Sequence, residues 1–317
     1  MTTFTTYQAK GIREDLANTI DNISPSDAPL YSMAKKRKAK NTFFEWQTDK
    51  LDAANKDNAK VEGADTAVST TNPTVRVGNY TQIMDKDFKI SGSLESTDRA
   101  GRNAEWSYQL AKKSKELKRD IEAAITSSNV AVAGSDAAAR KTAGLDSWLK
   151  TNTNNGNGTA GDYSYTSTPL TARTAATTGA IRTFTETLFK DVVAKAWEAG
   201  GEPTVLMVGA KQKQAASAFQ GISEVRVPVN SAKQATIISA ADIIVTDFGN
   251  IAAVPNRFMP KDLAYVVDRD HITVAKFRDF HTEKLAKTGD AERHVVRVEL
   301  GLQVDNEAAH GVVRDLS

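Results

Sequence analysis

The stretch TDRAGRNAEWSYQLAKKSKELKRDIEAAITSS, residues 97–128, contains no proline and no glycine after Gly101. Its large apolar residues recur at helical spacing along one face: Trp106, Leu110, Leu117, Ile121 and Ile125. A helix of this length spans roughly 45 Å, and its single narrow apolar face has to be covered by other structure. We therefore predict a long amphipathic helix that lies across a sheet or against other subunits.

The opposite face of this predicted helix is rich in charge. It carries Lys112, Lys113, Lys115, Glu116, Lys118, Arg119, Asp120 and Glu122. A charged run of this kind is typical of a helix face in contact with water, and we interpret these residues as solvated.

A second amphipathic pattern, with a period of two residues, runs from Arg293 to Asn306. One face of it is apolar: Val296, Val298, Leu300, Leu302 and Val304. This alternation predicts a long strand with one buried face. The predicted helix is the natural element to cover that face.

Residues 41–50 and 74–84 are rich in aromatic and β-branched residues and predict two strands that pair as a hairpin. The residues between them, 51–73, are polar and too many for an ordinary hairpin turn. Ordering such a segment alone is costly, and a two-stranded arm is marginal by itself. We therefore expect it to be stabilised on a neighbouring subunit.

From about residue 183 the pattern changes to alternating helices and short apolar strands. Residues 184–201 predict a helix, 203–209 a buried strand, 210–219 a second helix, and 272–277 the last of several further strands. This order indicates a small α/β domain. The Asn/Gly-rich residues 151–167 predict an exposed loop without a phosphate-binding pattern.

Composition excludes several kinds of chemistry. The chain has no cysteine, so it has no disulfide framework and no thiolate site. Its net charge of +2 gives no general case for nucleic-acid binding. We see no signal peptide and no apolar run of membrane-spanning length. A local basic cluster, residues 35–40, could face DNA, a scaffold or an acidic neighbour: Lys35, Lys36, Arg37, Lys38 and Lys40.

The strongest candidate for a metal site is Asp268, Asp270 and His271, which could offer two carboxylates and an imidazole to a hard cation. Because this stretch lies between two predicted strands, a hairpin turn explains it more simply. No pair of histidines has metal-binding helical spacing, and no nucleophile elbow is present. We predict no catalytic residue, no cofactor and no metal.

Taken together, these parts resemble the major capsid proteins of tailed bacteriophages, which have the Hong Kong 97-type fold. Four segments carry the resemblance: EWQTDKLDAAN (45–55), QLAKKSKELKRDIEAAI (109–125), PNRFMP (255–260) and EKLAKTGDAERHVVRVELGLQVDNEAAHG (283–311). With the N-terminal arm they connect nearly the whole chain.

The resemblance implies an α+β fold with five parts. These are an N-terminal arm (1–40), an extended β-hairpin loop (41–95), a peripheral domain (96–182) with the spine helix 97–128, an axial domain (183–290), and a return strand to the peripheral domain (291–317).

It also implies a structural protein, not an enzyme, that forms hexamers and pentamers of an icosahedral virion shell around double-stranded DNA. Expected partners are other copies, a portal, a separate scaffolding protein, a cement protein and weakly contacted DNA, with assembly in the host cytoplasm. We expect subunit contacts at the base and tip of the loop: Phe43, Phe44, Trp46, Lys50, Lys56, Asp57, Lys60 and Glu62.

Two alternatives remain open from the sequence. An encapsulin-like nanocompartment shell would share the fold but enclose enzymes instead of a genome. A metal-dependent enzyme would use Asp268, Asp270 and His271.

Overall fold

The computed structural model describes residues 28–49, 51–63, 65, 74–96, 105–163, 173–219, 243–287 and 289–317. The helices in these residues are α1 (Pro29–Met33), α2 (Gly92–Ser96), α3 (Glu105–Ile125), α4 (Glu186–Glu198) and α5 (Ala210–Ser217). The strands are β1 (Lys35–Lys38), β2 (Phe43–Thr48), β3 (Val75–Tyr80), β4 (Gln82–Ser91), β5 (Thr153–Asn154), β6 (Asp162–Tyr163), β7 (Arg173–Thr174), β8 (Val205–Val208), β9 (Ile243–Thr246), β10 (Gly249–Pro255), β11 (Ala264–Val267), β12 (Ile272–Leu285), β13 (Ala291–Val304) and β14 (Gly311–Val313).

The first sheet is built on two 14-residue strands, β12 and β13, which pair antiparallel. Its strand order is β1-β12-β13-β4. The predicted long strand is confirmed as β13, and its five apolar residues are all buried. The prediction at 272–277 was too short, because β12 continues to Leu285 as the partner of β13.

The predicted strand 74–84 is interrupted at Thr81 and forms two elements. β3 pairs with β2 and completes the predicted hairpin, whereas β4 pairs with β13 in the first sheet. The Thr81 side chain turns inward and donates a hydrogen bond to Glu299, 2.8 Å away. This inward turn separates the two strands.

Helix α3 packs across β4 and β13, as predicted for the apolar stripe. Leu117, Ile121 and Ile125 are fully buried, whereas Trp106 keeps 37% of its surface exposed. The helix ends at Ile125, slightly earlier than predicted, and the start of the predicted helix, 97–104, lies outside the described residues.

The prediction that Glu122 is solvated is wrong. Its side chain has no exposed surface, because α1 and the segment after β10 cover this end of α3. The carboxylate accepts hydrogen bonds from the backbone N–H groups of Leu30 and Tyr31, each at 2.8 Å. A charged side chain is therefore part of the core.

The second sheet has the order β5-β14-β11-β8-β10-β9. Leu206 and Val208 of β8 belong to a core with α4 and α5, whereas Val205 and Met207 belong to the core that contains α3. Both faces of this sheet are therefore covered, which explains why the central strand β8 is wholly apolar. The core that contains α3 also includes Val77 and contacts Trp46, both from the hairpin described below.

Residues 151–167 were predicted to form an exposed loop, and for the described part of the stretch this is only partly correct, because exposed residues such as Asn157 alternate with half-buried and buried ones. Residues 153–154 form β5 and pair parallel with β14. The side chain of Asn152 is buried and donates to the backbone carbonyls of Ala308, at 2.6 Å, and His310, at 3.1 Å. Polar side chains that bond to the backbone allow this stretch to lie inside the fold.

Candidate intersubunit surfaces

The stem of the hairpin, β2 with β3, is fixed to its own subunit by aromatic side chains. Phe44 is buried in a small cluster with Ala39 and Ala275. The ring of Phe43 lies over Gly78, where no larger residue would fit, and its centroid is 4.8 Å from that of Tyr80. The base of the loop is therefore held firmly.

Trp46 extends this anchor toward the apolar core. Its ring stacks on Phe44 at a centroid distance of 5.9 Å and lies 5.2 Å from the ring of Trp148. Trp148 is itself almost completely buried. The predicted aromatic residues thus contact their own chain in the subunit, and their packing sets the direction in which the loop projects.

The tip of the loop has the opposite character. Every described residue from 51 to 63 is exposed, and Leu51 keeps 91% and Val61 80% of its surface. The predicted contact residues Lys56, Asp57, Lys60 and Glu62 are among them, and Lys50 lies outside the described residues. A segment that buries so little within its own chain is free to contact another.

A cleft of about 1060 Å³ lies beneath the stem. It is bounded by residues 48–49 and 51–53 of the loop, the end of α4, and residues 304 and 306–308, and its floor includes Val77 and Trp148. The charged residues among its described lining are all acidic: Asp49, Asp52, Glu198 and Glu307. We call this the acidic cleft.

The basic run at 35–40 forms β1, which pairs parallel with β12 at the edge of the first sheet. Lys35 makes an ion pair with Asp270 at 3.0 Å. Lys36 donates to the carbonyl of Ala34 at 2.9 Å, and burial is the main cause that lowers its pKa to about 8. These two lysines have partners within their own subunit.

The rest of the run is more available to other molecules. The guanidinium of Arg37 lies over the ring of Phe44, 5.3 Å from its centroid. Lys38 and Lys40 are exposed and have no carboxylate partner among the described residues. We call Lys38 and Lys40 the basic edge.

The structure does not bring Asp268, Asp270 and His271 together as a metal site. Asp268 accepts a hydrogen bond from the backbone N–H of Asp270 at 2.9 Å and lies 3.8 Å from the imidazole of His271. The carboxylate of Asp270 is instead engaged by Lys35. Within the described ranges, no group of three histidine, aspartate or glutamate side chains could hold a metal ion, and no helix could span a membrane.

Two buried charge clusters that could not be recognised from the sequence lie behind these surfaces. Glu299 on β13 is buried and accepts from Arg278 at 2.7 Å, and it also pairs with Arg140. Arg314 and Asp146 form a second buried pair, 2.7 Å apart. The local sequence around these charged residues does not indicate that they are buried, because their partners come from distant parts of the chain.

A long helix across a sheet of long strands, a second sheet with its own helices and a projecting hairpin together define the Hong Kong 97-type capsid fold. The capsid subunit of Cyanophage A-1(L) has this structure, with a TM-score of 0.67 and 12% identity over 98% of both chains. The SrpI encapsulin of Synechococcus elongatus PCC 7942 also shares it, with a TM-score of 0.56 and 10% identity over 97% of this chain and 93% of the encapsulin.

Sequence similarity identifies the family within this fold. Residues 1–317 match the family model described as SU10 major capsid protein. The major capsid protein of Escherichia phage Phieco32 is 30% identical, over 98% of this chain and 96% of that protein. The chain therefore belongs to the SU10 major capsid protein family and is a phage major capsid protein.

Proposed function

We propose that this capsid protein assembles into hexamers and pentamers of a closed icosahedral shell around double-stranded DNA, and that it acts as a structural protein without catalysis. The observation that carries the proposal is the loop, whose stem packs on its own subunit while residues 51–63 are exposed. Such a segment gains buried surface by docking on a neighbour. The encapsulin alternative lacks comparable support, because that likeness is in fold alone.

The five parts expected from the sequence become part of this proposal. The arm (1–40) and the loop (41–95) would reach neighbouring subunits, the axial domain (183–290) would meet its copies at capsomer centres, and the peripheral domain (96–182) with the return strand (291–317) would link capsomers. Two features of the loop support this proposal: its aromatic stem packs on its own subunit, and residues 51–63 are exposed.

The loop tip would make charged contacts with the next subunit through Lys56, Asp57, Lys60 and Glu62, with Lys50 nearby. Portal, separate scaffolding protein, cement protein and packaged DNA complete the proposed partners, and host cytoplasm is the proposed place of assembly. The near-neutral net charge of +2 suits a wall that confines DNA without binding it strongly.

Negative-stain electron microscopy and mass photometry of the purified protein test this proposal. We expect rings or closed shells, and deletion of residues 52–73 should weaken them while leaving the subunit folded. A matched variant that replaces the same residues with a Gly/Ser linker of equal length separates loss of contacts from loss of length. A subunit that stays monomeric under all salt and crowding conditions would contradict the proposal.

A further inference from the structure

The outer face of the spine helix α3 carries a row of cations. Lys112, Lys115 and Lys118 are exposed, and the half-buried Arg119 holds its guanidinium 5.3 Å from the centre of the Phe258 ring. None of the four cations makes an ion pair with a carboxylate in the part of the chain that the structure describes. We call these four residues the basic stripe.

The acidic residues that flank the stripe are already engaged by other cations. Glu116 pairs with Lys113 at 2.8 Å, and Asp120 pairs with Lys86 of β4. The hydrogen bond from Lys113 is the main cause that lowers the pKa of Glu116, and Lys112 is only a smaller cause. The stripe therefore keeps most of its positive charge uncompensated.

The helix places these cations close together. Since successive residues turn by about 100°, Lys112, Lys115 and Arg119 lie within a sector of about 60° on the side away from the core, with Lys118 at its flank. The stripe is roughly 10 Å long from Lys112 to Arg119. Double-stranded DNA of that length carries about three phosphates on each strand, so the two arrays of charge have a similar density.

The surroundings of the stripe favour DNA over an acidic protein as the partner. The exposed apolar neighbours on the helix, Ala111 and Ala123, offer only a methyl group each. A stable contact between proteins needs an apolar centre. The phosphate backbone of DNA, in contrast, is bound by charge without regard to sequence.

The stripe and the extended loop lie on opposite faces of the first sheet. Leu300 and Leu302 of β13 belong to the core that contains α3, whereas Gly301 between them lies against Phe44 of the loop stem. Successive residues of a strand point to opposite faces. In a shell whose copies are joined through the loop, these two faces become the two sides of the wall.

We infer that the basic stripe lines the inner side of the shell wall and binds the phosphate backbone of packaged double-stranded DNA. The inference rests on the proposed function and deepens it by naming the surface that contacts the DNA. Three or four phosphate contacts in each copy give weak binding that depends strongly on salt. DNA held in this way can slide along the wall while it is packed.

Fluorescence anisotropy with a labelled duplex of about 30 base pairs, between about 50 and 200 mM NaCl, tests the contact. The variant K112Q/K115Q/K118Q should bind about tenfold or more weakly at the lowest salt concentration. The slope of log affinity against log salt concentration should become shallower by about two to three, because each lost phosphate contact removes about 0.9.

The matched control is K89Q/K211Q/K261Q, which removes the same charge from exposed lysines outside α3. It should bind the duplex as the unmodified protein does, and thermal melts show that both variants fold. Equal affinities of the stripe variant and the control overturn the inference. Binding of polyglutamate through the stripe, with no binding of the duplex, also overturns it and indicates an acidic protein as the partner.

Nuclease protection tests the side of the wall. Shells assembled with the duplex and then treated with nuclease should protect several-fold less DNA when they carry K112Q/K115Q/K118Q. Complete digestion of the bound DNA in intact shells would place the stripe outside and overturn the inference. If no shells form, the proposed function fails, whereas the anisotropy experiment still decides whether the stripe binds DNA.

Discussion

The Glu122 carboxylate on the spine helix α3 accepts a hydrogen bond from the side-chain amide of Asn256, 2.6 Å away. Asn256 follows directly after β10 of the second sheet. Because the same carboxylate also accepts from the backbone of Leu30 and Tyr31, one side chain ties α1, α3 and the second sheet together. Burial is the largest influence on the pKa of Glu122 and raises it, although the hydrogen bonds from the three donors act in the opposite direction.

Replacing Glu122 with alanine should destabilise the subunit by about 3 kcal/mol, because two buried donors and one partly buried donor lose their acceptor. Urea denaturation of the unassembled subunit measures the change. The control is Glu116→Ala on the same helix, whose ion pair with Lys113 is partly solvated and should contribute less than about 1 kcal/mol. Equal losses of stability in the two variants would show that the hydrogen bonds of Glu122 do not hold α1, α3 and the second sheet together.

Arg314 and Asp146 should behave as a buried pair. Their side chains are 2% and 1% exposed, and the guanidinium also donates to the carbonyls of Asp146 and Leu149. Asp146→Asn leaves the cation without its counter-charge, and we expect a loss of about 3–5 kcal/mol in the free energy of unfolding. Asp162→Asn, which breaks the exposed pair with Lys150, should cost about 0.5 kcal/mol or less. A similar loss in both variants would contradict the prediction.

His310 should make the subunit sensitive to acid. It is fully buried, and burial is the main cause that lowers its pKa from 6.5 to about 4. As the pH falls, the unfolded chain therefore binds a proton at this histidine before the folded chain does. The stability contributed by neutral His310 is complete above pH 6.5 and decreases progressively between pH 6.5 and about pH 4. The loss amounts to at most about 3 kcal/mol.

Comparison with His310→Asn measures this contribution. Asparagine can still accept the hydrogen bond that the backbone N–H of Asp268 donates to the imidazole at 3.1 Å, but it does not titrate. Melting temperatures between pH 7.5 and 4 should fall more steeply for the unmodified protein than for the variant. Parallel curves would mean that the carboxylates, which both proteins share, account for the whole effect.

Glycine at position 301 should be required for the close packing of the loop stem against β13. A Cβ atom built there would lie 2.6 Å from the ring of Phe44 and 2.8 Å from the carbonyl oxygen of Tyr80. We expect Gly301→Ala to cost about 1–3 kcal/mol and to loosen the stem. Limited proteolysis of the loop reports the loosening. In the control, Gly209→Ala, the new methyl group meets only the end of the Gln212 side chain, at 3.0 Å, so cleavage should not change.

Periodic burial explains why the spine helix and the long strand could be predicted from sequence. Leu117, Ile121 and Ile125 repeat at the helical period, and a repeated apolar face is a local signal. Glu122 gave no such signal, because its partners Leu30 and Asn256 are 92 and 134 residues away. A carboxylate one position after a buried isoleucine looks solvated until those partners are placed.

The candidate surfaces also differ in whether a local sequence signal reveals them. The polar loop tip and the basic run at 35–40 could be found from composition alone. The acidic cleft could not, because Asp52, Glu198 and Glu307 come from three distant segments. Its charge becomes visible only when the fold brings those segments together.

The pairing of the first sheet also governs when the subunit becomes complete during synthesis. Residues 35–38 and 82–91 pair with strands that begin only at Ile272 and Ala291. At ordinary ribosome speeds the early strands wait roughly ten to forty seconds for their partners. Every nascent copy passes through a stage with open strand edges, in which chains tend to aggregate. The supply of finished subunits therefore depends on how long these open edges persist, and not only on the stability of the completed fold.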